Sequence, residues 1–316
     1  MQYSKIMFLV IGILFCCTVC VLGVTSTAFS QNDGVILVTH KSTSPAWNNQ
    51  VLRLPGDIQA LDSQITQPIE VAFLDFKDTS VVNTLEWAIE RMVNHHNRRE
   101  ILLVPIFSSS YVMYKHISDI ANGIVAANWQ QSDPDRPTIV ISPAMDEEAP
   151  PTGGDPYAVT MLRECAMKVS GNNHAQKSLL LVSFGSFDDA DNSCVLGQLG
   201  RIGNRISGFR EVAGVTLRPH EFPPDPTIDK NAQAVEELNK TAENLLSHGA
   251  LKVIVVPYVF QGDFHKVLKD YLKGKKLKGK KKICNEEKIF HDETKAWIVD
   301  VIRRGMNNQP TPPPPC

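Results

Sequence analysis

The chain has 316 residues, enough for two domains that each bury a core of their own. Hydrophobic residues make up 43% and charged residues 21%, which excludes an intrinsically disordered chain. The formal net charge of -2 excludes the global basic field that would argue for nucleic acid, so any anionic ligand must be met by local lysines and arginines.

The first thirty residues stand apart. Lys5 is the only charge before an apolar run at 6–24, and Ala28-Phe29-Ser30 before Gln31 suits a small-x-small cleavage site. Residues 1–30 therefore read as a secretory signal peptide, and the chain as an exported protein, in a bacterium one of the periplasm. The run is nearly long enough to span a bilayer, so an uncleaved N-terminal membrane anchor is the alternative. Beyond the leader stand Cys165, Cys194, Cys284 and Cys316, an even count that permits disulfides in an exported protein and whose spacing matches no zinc motif.

Residues 34–39, GVILVT, form a buried-strand pattern that ends at His40, and residues 69–74, IEVAFL, form a second. Residues 81–94 carry Val82, Leu85, Ile89, Met92 and Val93 at helical spacing. Residues 100–107 form a third strand and 138–141 a fourth. Strands alternating with helices predict a parallel sheet covered by helices on both faces.

The order then repeats. Residues 178–183 copy the strand at 34–39, and 213–217 fall where 70–74 fell. A helix is predicted at 231–247, and 252–258 repeat 101–107 with the same Val-Pro pair. The fold class is thus α/β, in two similar doubly wound halves with a cleft between them: an N-terminal domain at 31–150 and a C-terminal domain at 177–305. Between 144 and 177, where Pro150, Pro151, Gly153 and Gly154 cluster, lies the boundary. Residues 273–282 hold seven lysines, read as a solvated loop with an anion-attracting site as the lesser reading. A last amphipathic helix spans 293–304, and residues 306–316 form a Pro-rich tail.

Three segments in register resemble the class II tetrapyrrole chelatases of the sirohydrochlorin cobaltochelatase and ferrochelatase type. GVILVTHKS at 34–42 is similar to that family's opening strand, which runs into His-Gly-Ser or His-Gly-Thr. PIEVAFLDF at 68–76 is similar to its Val-Glu-Val-Ala-Phe-Leu-Glu strand, and REILLVPIFSSS at 99–110 to its Val-Pro-Leu-Phe strand and loop. The likeness covers 34 to about 125 well and 178 to about 272 more weakly, so it spans both halves.

The resemblance implies an enzyme, a lyase that inserts Co2+, Ni2+ or Fe2+ into a sirohydrochlorin-like tetrapyrrole. The metal is then a substrate, and no organic cofactor is implied. Such a reaction must hold a divalent cation loosely and accept two pyrrole protons. Neutral imidazole suits both tasks, as a borderline ligand and as a base near neutrality. His40, at the carboxyl end of a strand where open α/β sheets bind ligands, is the leading candidate for both roles. Glu70, a charge inside an apolar strand, or Asp75, in the place of the family's acid, is the assisting carboxylate, and Glu70 is also a candidate metal ligand.

The family's second metal histidine is missing from the Ser108-Ser109-Ser110 loop. His116, further along, and His265, after the second Val-Pro strand, are the candidates for that ligand. Lys41, Ser109, Ser110, Tyr111 and His220 are candidate contacts to a tetrapyrrole. Lys41 replaces the family's glycine, which either supplies a salt bridge to a substrate carboxylate or alters the tight turn. In the second half Phe184 replaces the opening histidine while Gly185-Ser186 is kept.

Export is awkward for a chelatase of cobalamin or sirohaem assembly, which motivates an alternative: an exported, catalytically reduced relative that binds or carries metal or tetrapyrrole. A two-lobed α/β solute-binding protein is a third reading. No Gly-rich phosphate loop, Gly-x-Ser-x-Gly elbow or CxxC pair is present. The expected partner is a tetrapyrrole small molecule and not nucleic acid, and a homo-oligomer is left open.

Overall fold

The computed structural model describes residues 33–42, 44–74, 83–107, 110–142, 145, 149–186, 188–218, 230–260, 264–273, 275–286 and 290–305. Asp75, Ser109 and His220, three of the candidate site residues, lie outside this set, as do the leader and the Pro-rich tail.

In chain order the first half comprises β1 (Asp33–His40), α1 (Pro45–Val51), α2 (Leu54–Leu61), β2 (Ile69–Leu74), α3 (Leu85–Asn94), β3 (Glu100–Pro105), α4 (Ser110–Asn128), β4 (Thr138–Ile141) and α5 (Tyr157–Ser170). The second comprises β5 (Lys177–Phe184), α6 (Asp189–Arg205), β6 (Val212–Leu217), α7 (Lys230–Ser247), β7 (Lys252–Pro257), α8 (Phe264–Tyr271), β8 (Lys281–Ile283) and α9 (Asp292–Arg304).

Each half builds one four-stranded sheet, in the orders β2-β1-β3-β4 and β6-β5-β7-β8, with every pairing parallel. The central strands read as continuous apolar runs because helices cover both of their faces. Side-chain caps start the helices that follow: Ser44 accepts from the Trp47 amide with Pro45 at the first turn, and Thr84 accepts from the Trp87 amide.

The repeat holds down to single hydrogen bonds. Val38 pairs with Pro105, and Val182 with Pro257; His40 pairs with Leu74, and Phe184 with Leu217. Past the ends of the strands, the Ile106 amide donates to Val38 O at 2.8 Å and the Tyr258 amide to Val182 O at 2.7 Å. His40 and Phe184 are thus equivalent positions.

Three buried clusters define the layers. One lies on the outer face of the first sheet under α3 and α4, and another on the outer face of the second under α7 and α8. The largest lies between the sheets and draws on both, with α1, α2, α5, α6 and α9. Within it α5, the last helix of the first half, packs on β7 and β8 of the second sheet, while α9, the last helix of the second half, packs on α2 and β3 of the first. The two halves have exchanged their final helices. The stretch read from sequence as a boundary therefore contains a buried helix.

The exchange is pinned by polar and covalent links. The Tyr157 hydroxyl on α5 donates to Asp300 on α9, and burial together with that carboxylate raises the Tyr157 pKa. Arg303 on α9 donates to Asp62 at the end of α2 at 2.7 Å. Cys165 on α5 is disulfide-bonded to Cys284, just past β8, with the Cα atoms 6.2 Å apart. Cys194 is disulfide-bonded as well.

Candidate metal centre

The order β2-β1-β3-β4 places a topological switch point between β1 and β3, because their connections leave to opposite faces. From β1 the chain passes to α1 and α2 on the inner face, and from β3 to α4 on the outer face. Crevices of this kind, at the carboxyl ends of parallel strands, are where such sheets bind ligands.

His40 closes β1 at this point and is half-buried. Its ring meets Phe107, which follows β3, edge-on with centroids 4.8 Å apart at 80°. This T-shaped contact braces the imidazole. The loop after His40 is held by Asn48 on α1: its Oδ1 accepts from the Ser42 amide at 2.9 Å, and its Nδ2 donates to Ser42 O at 2.8 Å. Ser42 Oγ accepts from the Ser44 amide at 3.1 Å. Among the described residues only Asn97 and Asn173, besides glycines, take a positive φ. Lys41 therefore stands in an ordinary backbone conformation, and this turn needs no glycine.

Glu70 is placed elsewhere. It is the second residue of β2 and pairs in register with Ile36, whereas Leu74 pairs with His40. Four residues of strand separate the two ends by roughly 13 Å. Its carboxylate is occupied by Arg91 Nε and His96 Nε2, both at 2.8 Å, and its side chain is only 14% exposed. The charge is tolerated in the strand because Arg91 on α3 and His96 just past that helix engage it, at the end of β2 away from His40.

The remaining candidates divide between the halves. His116 lies on the exposed face of α4, beside the buried Ile117. Ser110 and Tyr111 open that helix at the carboxyl end of the first sheet. His265 is half-buried on the first turn of α8 in the second half, next to Phe264. There Phe184, the counterpart of His40, packs against Phe264 with centroids 4.7 Å apart. An imidazole packed on a phenyl ring in one half is matched by two phenyl rings in the other.

Asn48 and Asn192 were not singled out by sequence reasoning. Both lie 144 residues apart, the same offset as His40 and Phe184, as do Ser42 and Ser186. Asn192 accepts from Thr216 Oγ1 at 2.9 Å, and a Cβ on Gly185 would come within 1.9 Å of its Oδ1. The glycine retained after Phe184 is thus required by this close approach. Equal spacing of Ser and Asn behind the two strand ends was the available signal.

The second half also opens a cleft of about 560 Å³ beside β6, lined by Asp189, Asn192, Thr216, Arg218 and Lys230 among others. Arg218 directly follows β6, the position that Asp75 holds after β2. It donates to Ser186 O at 2.8 Å, and together with Lys230 it holds the Asp189 carboxyl below the usual range. Among the described residues, the single group of three or more potential ligands within reach of one ion is Cys165, Cys284 and Glu286, whose two sulfurs are joined in the disulfide.

No protein-family model and no curated protein matches the chain. Solved structures do. SirB from Bacillus subtilis, solved with Fe3+, superposes with a TM-score of 0.57 at 14% identity, over 87% of this chain and 96% of that one. CbiX, the terminal enzyme for biosynthesis of siroheme in denitrifying bacteria, superposes with a TM-score of 0.51 at 15% identity, over 84% and 96%. Two like halves of parallel sheet, matched along nearly the whole length of both chelatases, give this chain the fold of the class II chelatases.

Proposed function

We propose that this protein is a tetrapyrrole metallochelatase with a single reaction centre, at the switch point of its first half. The observation that carries the reading is His40: a half-buried imidazole at the carboxyl end of a central strand, braced by Phe107, in a chelatase fold whose second half has Phe184 at the equivalent place. The substrates are a divalent metal ion, Co2+, Ni2+ or Fe2+, and a sirohydrochlorin-like macrocycle.

Insertion exchanges one divalent cation for two pyrrole protons. His40 presents a nitrogen that holds the incoming metal and, once the metal has passed to the macrocycle, accepts one of the two protons, the other passing to the assisting carboxylate. The assisting carboxylate is Asp75 rather than Glu70, since Asp75 directly follows Leu74, the register partner of His40. Lys41, one residue past His40, is the cation for a carboxylate on the macrocycle rim. His116 on α4, which leaves the neighbouring strand β3, is the further metal ligand. Ser109, Ser110 and Tyr111 are contacts of the macrocycle.

A second reading is an exported carrier of metal or tetrapyrrole. The disulfide Cys165–Cys284 favours it, because such bonds persist in oxidising compartments, in keeping with the leader at 1–30 and a periplasmic location. Anaerobic incubation of the protein with sirohydrochlorin and Co2+, Ni2+ or Fe2+, followed by visible absorption, separates the two. Insertion above the uncatalysed rate supports the enzyme; a shifted spectrum of bound macrocycle without acceleration supports the carrier.

A further inference from the structure

Residues 264–283 hold nine lysines, no arginine and one carboxylate, Asp270. This stretch carries +8, while the rest of the chain, with 23 cationic and 33 carboxylate side chains, carries -10. The protein is strongly polarised, although its net charge is close to zero.

The fold turns this run into a surface. Phe264, Leu268, Leu272 and Leu277 are buried against the outer face of the second sheet and anchor the stretch. Lys266, Lys269, Lys273, Lys276, Lys278, Lys280 and Lys282 are exposed. Lys276 stands 3.7 Å from Glu243 with its side chain 77% exposed, and Lys282 donates to Val169 O at 3.2 Å. Because β8 begins opposite Val253, near the start of β7, the lysine-rich turn before it lies at the amino end of the sheet. The bulk of the charge is thus far from the carboxyl-end crevices.

Lysines on a short edge strand guard it against pairing with other chains, and Lys281 and Lys282 on β8 serve that end. Lys266 and Lys269 on α8, and Lys273, Lys276 and Lys278 in the turn, lie off that edge and need another account. The chemistry of the patch selects its partner. Arginine, the residue suited to bidentate phosphate recognition, is absent, and neither the phenylalanine nor the tyrosine of the stretch is free to stack on bases: Phe264 is buried, and the half-buried Tyr271 receives Asn231 on its hydroxyl. Point charges spread along a strip suit a diffuse anionic plane. The apolar run at 6–24 brings the chain to a membrane whether it acts as a signal or as an anchor.

We infer that the lysine strip from α8 to β8 docks this protein on the surface of a bilayer containing anionic lipid, leaving the carboxyl-end crevices open. The test is co-sedimentation of the mature protein, freed of the leader at 1–30, with phosphatidylcholine vesicles and with vesicles also containing phosphatidylglycerol. Binding is expected only with phosphatidylglycerol, and to fall at least about tenfold between about 0.05 M and about 0.5 M salt. Replacing Lys273, Lys276, Lys278, Lys280 and Lys282 together by Gln lowers binding by about tenfold or more, with the circular dichroism and thermal transition of the parent retained. Replacing five exposed cations elsewhere, Arg53, Lys168, Arg201, Arg205 and Lys240, leaves it in place. Equal binding to neutral vesicles, undiminished binding by the lysine variant, or retention on DNA or heparin at a salt concentration where vesicles are not bound would each overturn the inference.

Discussion

Three neighbours set the position of His40: the strand that ends at it, Phe107 in T-shaped contact with its ring, and Asn48, which fixes the loop behind it. Asn48→Ala frees that loop and lowers metal insertion through His40, with the larger effect on kcat, as misplacement of a reacting group does. The carboxylate of Glu70 is engaged by Arg91 and His96. Glu70→Gln leaves Arg91 and His96 facing a neutral amide and costs about 1–2 kcal/mol in urea unfolding, with insertion retained. Asp62, 6% exposed, has its carboxyl lowered below 3.8, first by the hydrogen bond from Arg303. A carboxyl depressed in the folded state stabilises above its ordinary pKa and loses that contribution as pH falls through the folded value. Asp62→Asn is therefore expected to cost about 1 kcal/mol at pH 7, discounted for the exposure of Arg303, and almost nothing in acid below the folded value. Urea midpoints of the two proteins across that range check it. At this scale the strand-end position of His40 was legible, because the end of an apolar run is written in the sequence. The partners of Glu70 were not legible, because they arrive 21 and 26 residues later, from a helix and its end whose approach no local pattern reveals.

Among the elements, the strands and their repeat were the most legible, since a buried parallel strand is an apolar run whatever surrounds it. Two helices were not. Pro150 to Gly154 masks the start of α5, whose Tyr157, Ala158, Val159, Met161, Leu162, Cys165 and Ala166 are all buried, leaving only a narrow polar stripe of Thr160, Arg163, Glu164 and Lys168. In α6, Gly197, Gly200 and Gly203 dilute the helical pattern. At least one has a packing reason: a Cβ on Gly203 would lie 3.0 Å from Val212 Cγ1, so the glycine lets the helix close on β6, and Gly214 on that strand faces Leu199 in the same way. The Cys165–Cys284 bond ties α5 to the second sheet across 119 residues. Changing both cysteines to Ala is expected to cost about 3–5 kcal/mol by the loop-entropy argument, read as a fall in the urea midpoint relative to the parent under non-reducing conditions.

For the whole molecule, exchange of α5 and α9 makes one core of two halves. Neither half keeps its inner face covered without the other, so the account predicts a single cooperative unfolding transition, with circular dichroism and tryptophan fluorescence coincident. Two resolved transitions would contradict it. The duplication was readable from sequence as order and spacing, whereas the exchange was not, because it depends on which sheet each last helix meets. The asymmetry of the halves, His40 against Phe184, leads to the central claim that one half carries the reaction. The most direct measurement is anaerobic insertion of Co2+ into sirohydrochlorin by the parent, His40→Ala and His265→Ala proteins, compared by kcat/KM. A single centre in the first half predicts a loss of about 10²-fold or more for His40→Ala and a value within about threefold of the parent for His265→Ala. Insertion undiminished in His40→Ala, or lost equally in His265→Ala, would contradict it.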